Sequence, residues 1–527
     1  MTLLKKSIPI ILAILAMSIV SFFWHKISLT FENSNNILGE YSENNHHRYN
    51  DTLRFIYFIF FPLIIFLFSY VLLNKDKINP LRNILFENEN PFSNIKNDNN
   101  KKIYFFIIIL ILIFKFCSLD LPDYKLDIFH EGQLLSGALN YNLKNQLWTG
   151  SYINTGLFYD IINTKISWLL FDKETVGAYR MFSFVLNYIY TLFVIFLIFQ
   201  TSKIFNFPKE KGNIFFIIVS IFCFYFFNIK SSNFPNYRDL FTICFLICLL
   251  NAIIFEKFKY INYFLVGSFS VVSLLWSLDR GIFLNVTIIV ILIIFLLQKR
   301  FVPLLTIFFG ILTFWLLFYF FIGEEEFNAF LFNSVNIIKY NEIWNGLIHP
   351  QPFSDEKNST RATKALLLYV INGIIIIKYI IDNNKLNQNT KLFLAITFLI
   401  GIFYYKVGLS RSDGGHIIIG SSFNYLLFII LITYELLSVD FNKLIKIDIL
   451  NLKILPYLLI IIFLITNFNQ KSNFNHSNMV TVISRIKNFV EKEDNYFLKE
   501  NYVKFIKKTN FILKNEECIQ SFNYDPT

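Results

Sequence analysis

The stretch Pro303-Leu-Leu-Thr-Ile-Phe-Phe-Gly-Ile-Leu-Thr-Phe-Trp-Leu-Leu-Phe-Tyr-Phe-Phe-Ile322 contains no charged side chain and follows the basic pair Lys299-Arg300. A helix rises about 1.5 Å per residue, so a run of this length crosses the roughly 30 Å hydrocarbon core of a bilayer. Similar runs recur along the chain, which is 55% hydrophobic and only 16% charged over its 527 residues. The core of a soluble protein explains one such run but not so many. We therefore predict an all-α, polytopic transmembrane helix bundle.

The apolar runs predict thirteen spans. They lie at 8–23, 55–73, 103–117, 178–200, 214–229, 239–255, 261–277, 283–298, 303–322, 364–381, 392–408, 416–436 and 454–467. The first run, with its basic start, resembles a signal peptide, but no small-residue cleavage site follows before Trp24. We interpret it as a retained first span. An odd number of spans puts the N-terminus and the C-terminal tail on opposite faces of the membrane.

Basic residues fix the predicted orientation. With a cytoplasmic N-terminus, every short inside loop carries Lys or Arg, whereas the short outside turns are nearly bare except where an Arg adjoins an Asp. The inside set is Lys5, Lys6, Lys75, Lys77, Arg82, Lys96, Lys101, Lys102, Lys203, Lys209, Lys211, Lys257, Lys259, Lys299, Arg300, Lys385, Lys391, Lys443, Lys446 and Lys453. The long outer segments are then 24–54, 118–177, 323–363 and the tail. We expect a bacterial inner membrane protein with a periplasmic tail.

The chain divides into three predicted regions. Residues 1–100 hold two N-terminal spans, 101–467 form the transmembrane core, and 468–527 form a short polar tail with a few amphipathic helices. The net charge of +11 is explained by the inside loops, and no nucleic-acid module is recognisable. The five cysteines form neither a disulfide framework nor a CxxC pair. Membrane lipids are therefore expected partners, and nucleic acid is not.

The first long outer segment contains an acidic motif. It reads Leu119-Asp-Leu-Pro-Asp-Tyr-Lys-Leu-Asp-Ile-Phe-His-Glu-Gly132, and residues 133–143 then predict a short amphipathic helix. On a helix, Asp127 and Glu131 share one face because they are four residues apart. Two nearby carboxylates at a lipid-adjacent surface raise each other's pKa, which makes one of them a usable general base. The alternative is a solvated acidic loop.

Three further motifs lie at outer span ends. They are Asn236-Tyr-Arg-Asp239, Trp276-Ser-Leu-Asp-Arg-Gly281 and Leu409-Ser-Arg-Ser-Asp-Gly-Gly-His416. An ionisable group at membrane depth costs about 2.5 kcal/mol or more, so such residues usually face a cavity or a partner. Each Arg-Asp pair alone is explained equally well by a structural ion pair or a contact with lipid headgroups.

Together the four motifs indicate phosphate chemistry on one membrane face. The guanidinium groups of Arg238, Arg280 and Arg411 suit phosphate, because the planar fork binds two oxygens at once. A carboxylate beside them would deprotonate an acceptor hydroxyl while they stabilise a departing polyprenyl phosphate. The candidate set is catalytic Glu131 and Asp127, with His130, Arg238, Asp239, Asp279, Arg280, Arg411, Asp413 and His416 as binding residues. Trp344, in the outer segment 323–363, is either a sugar-stacking residue or an interfacial anchor.

Several motifs of other chemistries are missing from the sequence. It has no P-loop and no GxGxxG on an inside loop, so nothing indicates ATP or a dinucleotide. It has no HExxH and no His/Cys cluster with ligand spacing, so no metal site is predicted. A divalent metal that assists the reaction is left open.

These motifs resemble those of the GT-C superfamily of polytopic glycosyltransferases. Asp127-Ile-Phe-His-Glu-Gly132 resembles the acidic motif of an early outer loop in that group, and it precedes a helix as it does there. The motifs at 236–239, 279–281 and 411–416 are similar to motifs of uncharacterised members. In this chain the acidic motif follows the third predicted span, whereas in many members it follows the first. The resemblance implies a polyprenyl-phosphate-linked sugar as donor.

We therefore predict a hexosyl- or pentosyltransferase acting on a glycan, lipid or protein acceptor at the periplasmic face. One alternative is an O-antigen-type polysaccharide polymerase or ligase, which relies less on an acidic base. Another is a transporter or flippase of a lipid-linked substrate. Transporters usually show repeated halves and interrupted helices, whereas here the ionisable residues cluster at one edge and no repeat is evident.

Overall fold

The computed structural model describes residues 2–73, 104–106, 108–109, 121–128, 130–151, 153–205, 207–228, 237–382, 386–438 and 481–512. Within these ranges the chain is all-helical. The first helices are α1 (Thr2–Phe22), α2 (Glu40–Glu43), α3 (Asn50–Leu73), α4 (His130–Lys144), α5 (Asn163–Phe171), α6 (Val176–Ile204) and α7 (Lys209–Asn228). Short turns of helix at Trp24–Lys26, Phe158–Ile162, Tyr237–Asp239 and Glu256–Phe258 join longer elements.

The second half of the chain continues the bundle. Its helices are α8 (Leu240–Ile254), α9 (Lys259–Trp276), α10 (Leu278–Leu297), α11 (Phe301–Ile322), α12 (Glu324–Asn345), α13 (Ser359–Asp382) and α14 (Gln388–Tyr404). They are followed by α15 (Lys406–Ser410), α16 (Gly414–Gly420) and α17 (Ser422–Ser438), and then by α18 (Val482–Val490), α19 (Asp494–Phe497) and α20 (Glu500–Ile512) in the tail.

Eight helical segments among the described residues are long and apolar enough to cross a membrane, and the bent pair α16–α17 makes a ninth if it counts as one span. α1 contributes a shorter apolar helix, Ser7–Phe22. The all-helical architecture expected from the sequence is thus confirmed for the described residues, and these apolar helices are compatible with the expected membrane bundle. Of the thirteen predicted spans, 454–467 lies outside the described residues, and 103–117 is described only at 104–106 and 108–109.

Two glycines allow a close helix crossing between α9 and α11. A Cβ atom built on Gly267 would lie 2.1 Å from the carbonyl oxygen of Ile307, and one on Gly310 would lie 2.3 Å from that of Phe264. Small residues let membrane helices approach until their backbones touch, which maximises dispersion contacts where lipid removes the hydrophobic driving force. This crossing aligns α9, whose far end carries part of the candidate site.

Two sequence predictions need correction in the fold. The outer segment 323–363 is not mainly a loop, because α12 occupies 324–345. Its three glutamates lower hydropathy, but in the first turn of a helix they stabilise it through the helix dipole. The predicted span 416–436 is not continuous, because the chain bends by 50° between α16 and α17. There the hydroxyl of Ser421 bonds the carbonyls of Ile417 and Ile418.

The predicted outer segments meet at one end of the bundle. Glu326 of α12 accepts hydrogen bonds from the backbone N–H groups of Leu147 and Trp148, at 3.1 and 2.7 Å. The Trp24 indole donates to the His349 carbonyl at 3.3 Å. In the tail, Lys492 forms a 2.9 Å ion pair with Asp123. These contacts agree with the assignment of all four segments to a single side of the membrane.

Candidate functional site

The acidic motif forms the N-terminus of α4, with Asp127 as its cap. The Asp127 Oδ1 atom accepts the backbone N–H of His130 at 3.0 Å, and its Oδ2 atom lies 2.7 Å from His130 Nδ1. The side chains of Asp127 and His130 remain 49% and 68% exposed. Asp127 therefore precedes the helix and does not share a helix face with Glu131, which corrects the sequence-based geometry. The result is a half-exposed carboxylate whose orientation is fixed by an imidazole.

Glu131 turns the other way, into the bundle. Its Oε1 atom accepts Arg180 Nε at 2.8 Å and its Oε2 atom accepts Arg180 Nη2 at 2.7 Å, a bidentate pair in which both side chains are largely buried. The backbone N–H of Asp127 donates to the same Oε2 atom at 2.9 Å. Arg180 also donates to the carbonyls of Pro122 and Tyr124. This pair anchors the loop before α4 to α6.

A second charged group contains both Arg238 and Arg280. Arg280 is 3% exposed and donates from Nε to Asp239 Oδ1 at 2.8 Å and from Nη1 to Asp279 Oδ2 at 2.7 Å. Arg238, on the rim, donates from Nη2 to Asp279 Oδ1 at 3.0 Å and to the Ser277 hydroxyl at 3.2 Å. Two guanidinium groups thus face two carboxylates. Arg280 and Asp239 are buried, whereas Arg238 lies at the rim with a side chain that is 23% exposed.

A tyrosine ring lies against one guanidinium of each charged group. The guanidinium of Arg180 lies 4.1 Å from the ring centroid of Tyr124, and that of Arg238 lies 5.0 Å from the centroid of Tyr159. Burial raises the pKa of Tyr124, and the charge of Glu131 and the hydroxyl of Tyr159 raise it further. Burial also raises the pKa of Tyr159, which Arg238 opposes. Both tyrosines therefore stay neutral donors near neutral pH.

Asp160 holds the loop at residues 154–156 in place, although sequence reasoning did not single it out. It is fully buried, and its Oδ2 atom accepts the backbone N–H groups of Asn154, Thr155 and Gly156. Burial raises the pKa of the Asp160 carboxyl. The Thr155 carbonyl then accepts the N–H of Leu278 at 2.6 Å.

Gly156 makes that loop's approach to the second charged group possible. It adopts φ 154°, and a Cβ atom there would lie 2.9 Å from Ser277 Cα. An L side chain rarely adopts this φ and would also clash with the turn that carries Asp279. The signal in the sequence was the turn-forming run Asn154-Thr-Gly156 before the aspartate.

Arg411, Asp413 and His416 form a separate group at the start of α16. Asp413 Oδ2 lies 3.2 Å from Arg411 Nε and 2.8 Å from His416 Nδ1, and its Oδ1 atom caps α16. Burial opposes ionisation, but hydrogen bonds from the His416 side chain and backbone outweigh it and hold the pKa of Asp413 well below its usual range. The nearest side chain to Gly414 is Arg361, on α13. Arg411 thus pairs with a different carboxylate from those that pair with Arg238 and Arg280.

A further polar group, around Asp51, was not predicted. Asp51 is 1% exposed and accepts Arg54 Nη1 at 3.0 Å, the Tyr41 hydroxyl at 3.2 Å and the backbone N–H of His349 at 2.9 Å. His349 Nε2 in turn lies 2.8 Å from the Tyr405 hydroxyl. Burial lowers the pKa of His349, so it is neutral near pH 7. Asp51 and Tyr405, which bond His349, lie more than fifty residues from it along the chain. No local motif or spacing in the sequence therefore revealed this group.

In the part of the chain that the structure describes, no group of three or more His, Cys, Asp or Glu side chains is placed to hold a metal ion. Trp344, for which stacking and anchoring were both open, is 38% exposed, and its backbone lies against Gly39.

Comparison with known proteins returns no relative, because no family model, no curated protein and no solved structure matches this chain.

Proposed function

We propose that the protein is a GT-C-like membrane glycosyltransferase that transfers a sugar from a polyprenyl-phosphate donor to a glycan, lipid or protein acceptor at the end of the bundle where the predicted outer segments meet. One observation carries the proposal. A half-exposed carboxylate, Asp127, is oriented by His130 on the same side of the bundle as Arg238, a partly buried guanidinium at the rim of the second charged group. A base for the acceptor and a cation for the leaving phosphate are the two charges that this reaction requires.

The reaction assigns a separate task to each exposed group. Asp127 takes the proton of the acceptor hydroxyl, and the acceptor oxygen forms the new bond to the anomeric carbon. The bond between that carbon and the phosphate oxygen breaks, and the electron pair leaves with the polyprenyl phosphate. Arg238 stabilises the charge of the leaving phosphate. His130 orients Asp127 through the 2.7 Å hydrogen bond, in which its Nδ1–H donates to the ionised carboxylate.

The buried charges act as positioning residues in this proposal. Glu131 is occupied by Arg180, so the base assignment falls on Asp127 rather than being shared between the two carboxylates. Arg280 holds Asp239 and Asp279, and Asp279 in turn orients Arg238. Arg411 and His416 belong to the group around Asp413. In this proposal they contact either the acceptor or the part of the donor that lies away from Arg238.

The decisive experiment replaces Asp127 by Asn in the full chain. Glycolipids and glycans from cells that lack the gene are compared by mass spectrometry with those from cells complemented by wild-type or variant protein. We expect Asp127→Asn to lower product formation by about 10²- to 10⁴-fold, the usual contribution of a general base, and to leave expression unchanged. Asp172→Asn is the matched control, because Asp172 is exposed in the same outer segment and its left-handed conformation suits Asn. Normal product formation by Asp127→Asn contradicts the assignment.

One observation favours the transporter alternative. The 50° bend between α16 and α17 is a broken span next to the Arg411 group, and broken helices are typical of transporter sites. A vesicle assay separates the two functions. Movement of a fluorescent polyprenyl-phosphate sugar across vesicles that lack any acceptor, unaffected by Asp127→Asn, supports transport, whereas transfer that depends on Asp127 and an added acceptor supports glycosyl transfer.

A further inference from the structure

A cavity of about 520 Å³ lies at the other end of the bundle from the candidate site. Three helices connect the two places. α6 carries Arg180 near its beginning and Lys203 near its end, α8 follows Asp239 and ends beside the cavity, and α9 begins at the cavity and ends at Trp276. The volume lies within the range of small-molecule and lipid sites in proteins.

The walls of the cavity are largely aromatic. Phe199, Phe255 and Phe258 line it, together with Lys203. The ammonium group of Lys203 lies 4.3 Å from the ring centroid of Phe199 and 5.4 Å from that of Phe255. An apolar chamber with a cation at its edge matches a molecule that has a hydrocarbon chain and an anionic head.

A polar group inside the chamber lacks a partner. Gln200 is 3% exposed, and its Nε2 atom donates to Asn251 Oδ1 at 3.0 Å. Its Oε1 atom has no hydrogen-bond partner among the described residues. A buried amide oxygen that is left unpaired destabilises the folded state, so a donor that reaches it would be favoured. The Oε1 atom itself has almost no accessible surface, so the hydroxyl of a lipid headgroup would reach it after a rotation of the amide.

The surroundings of the cavity carry a positive charge. Lys257 lies 5.7 Å from the ring centroid of the cavity residue Phe258, Lys259 follows it in sequence, and Arg300 donates to the Tyr263 hydroxyl beside the lining residue Asn262. Glu256 is the acidic neighbour. These three cations and Lys203 belong to loops that the sequence predicts to be cytoplasmic. Anionic lipids bind basic pockets between helices on that side of a membrane.

We propose that this cavity binds one anionic glycerophospholipid of the inner leaflet, with an acyl chain among the phenylalanines, the phosphate beside Lys203 and a headgroup hydroxyl on Gln200. A phospholipid is the expected ligand because the positive charge around the cavity lies at the end of the bundle opposite to the glycosyl-transfer residues. The inference does not depend on the proposed function.

The test is native mass spectrometry of the full-length protein in detergent, titrated with phosphatidylglycerol or with phosphatidylcholine of the same acyl chains. We expect phosphatidylglycerol to bind at least tenfold more tightly. Lys203→Ala should weaken phosphatidylglycerol binding about fivefold, and Gln200→Leu, which keeps the volume but removes the amide, should weaken it similarly. Lys209→Ala, at an exposed lysine of the same end that does not line the cavity, is the control and should bind as the wild type does.

Three results would overturn the proposal. They are equal affinity for the two lipids, equal losses in Lys203→Ala and Lys209→Ala, and displacement of phosphatidylglycerol by an equimolar polyprenyl phosphate. The last result would assign the cavity to the isoprenoid carrier. Because Lys203→Ala leaves Asp127 and Arg238 untouched, a failure of lipid binding is distinguishable from a failure of glycosyl transfer.

Discussion

Arg180 grips both carboxylate oxygens of Glu131, at 2.8 and 2.7 Å, across the 49 residues that separate them in sequence. The pair links the loop that bears Asp127 to the first turns of α6. Because Arg180 also donates to two carbonyls of that loop, its guanidinium fixes the backbone on which the proposed base stands. A carboxylate that looked catalytic in the sequence is thus the anchor of its neighbour.

Removal of Glu131 should destabilise the protein more than it affects chemistry directly. Glu131→Ala leaves the buried guanidinium of Arg180 uncompensated, so we expect a loss of about 3–5 kcal/mol in the free energy of unfolding. Chemical unfolding in detergent measures this loss. The double variant Glu131→Leu/Arg180→Met should recover much of it, whereas Asp127→Asn should leave stability nearly unchanged. A stable Glu131→Ala protein that has lost all transfer would return the role of base to Glu131.

Replacements of Arg238 and of Arg280 should likewise have different effects, the first on catalysis and the second on stability. Arg280→Ala removes the guanidinium that pairs with the buried carboxylate of Asp239, and we expect poor folding with a lowered unfolding temperature. Arg238→Ala changes a partly exposed ion pair, worth about 0–1 kcal/mol, and should leave the unfolding temperature nearly unchanged. Its kcat should fall by about 10²- to 10³-fold, as for other donors that stabilise a developing charge. Wild-type kcat in Arg238→Ala would exclude Arg238 from the phosphate site.

The tail should contribute to the stability of the acidic loop. Phe497 is fully buried, its ring lies 5.0 Å from the Arg180 guanidinium, and its carbonyl accepts the Leu126 N–H at 2.7 Å. Phe497→Ala should therefore cost about 3–5 kcal/mol and reduce transfer together with stability. Phe511→Ala is the matched control, since Phe511 is 84% exposed and should tolerate the change. Equal unfolding curves for the two variants would show that the tail does not support the loop.

His349 should make stability depend on pH. Burial lowers its pKa in the folded protein, whereas the unfolded chain has a pKa near 6.5. Below that value the unfolded state binds a proton that the folded state does not, so stability is complete above about pH 6.5 and falls as the pH drops toward the folded pKa. The unfolding temperature, measured from pH 7.5 to 5, should decline less steeply in His349→Phe, even though this variant starts lower. An identical slope in both proteins would contradict this role.

The sequence predicted the broad architecture because hydropathy and charge report directly on the membrane. The same reasoning located α4 and the Arg-Asp turns at 238–239 and 279–280, which the structure brings into one group. It missed Arg180, which lies inside a predicted apolar span, and Asp160, whose partners are backbone N–H groups. Which of two carboxylates faces solvent depends on contacts between distant segments, and local spacing does not encode them. Glycosyl transfer itself remains a prediction.

The contact between the tail and the acidic loop also has a consequence for biogenesis. Asp123 and Lys492 are 369 residues apart in sequence. At translation rates of 5–20 residues per second, the loop waits on the order of 20 to 70 s for the residues that complete it. During that interval the loop has neither Lys492 nor Phe497 against it, so it is a natural target for quality-control proteases. A nascent chain arrested before residue 481 should consequently expose this segment to cleavage, even when every earlier helix is inserted.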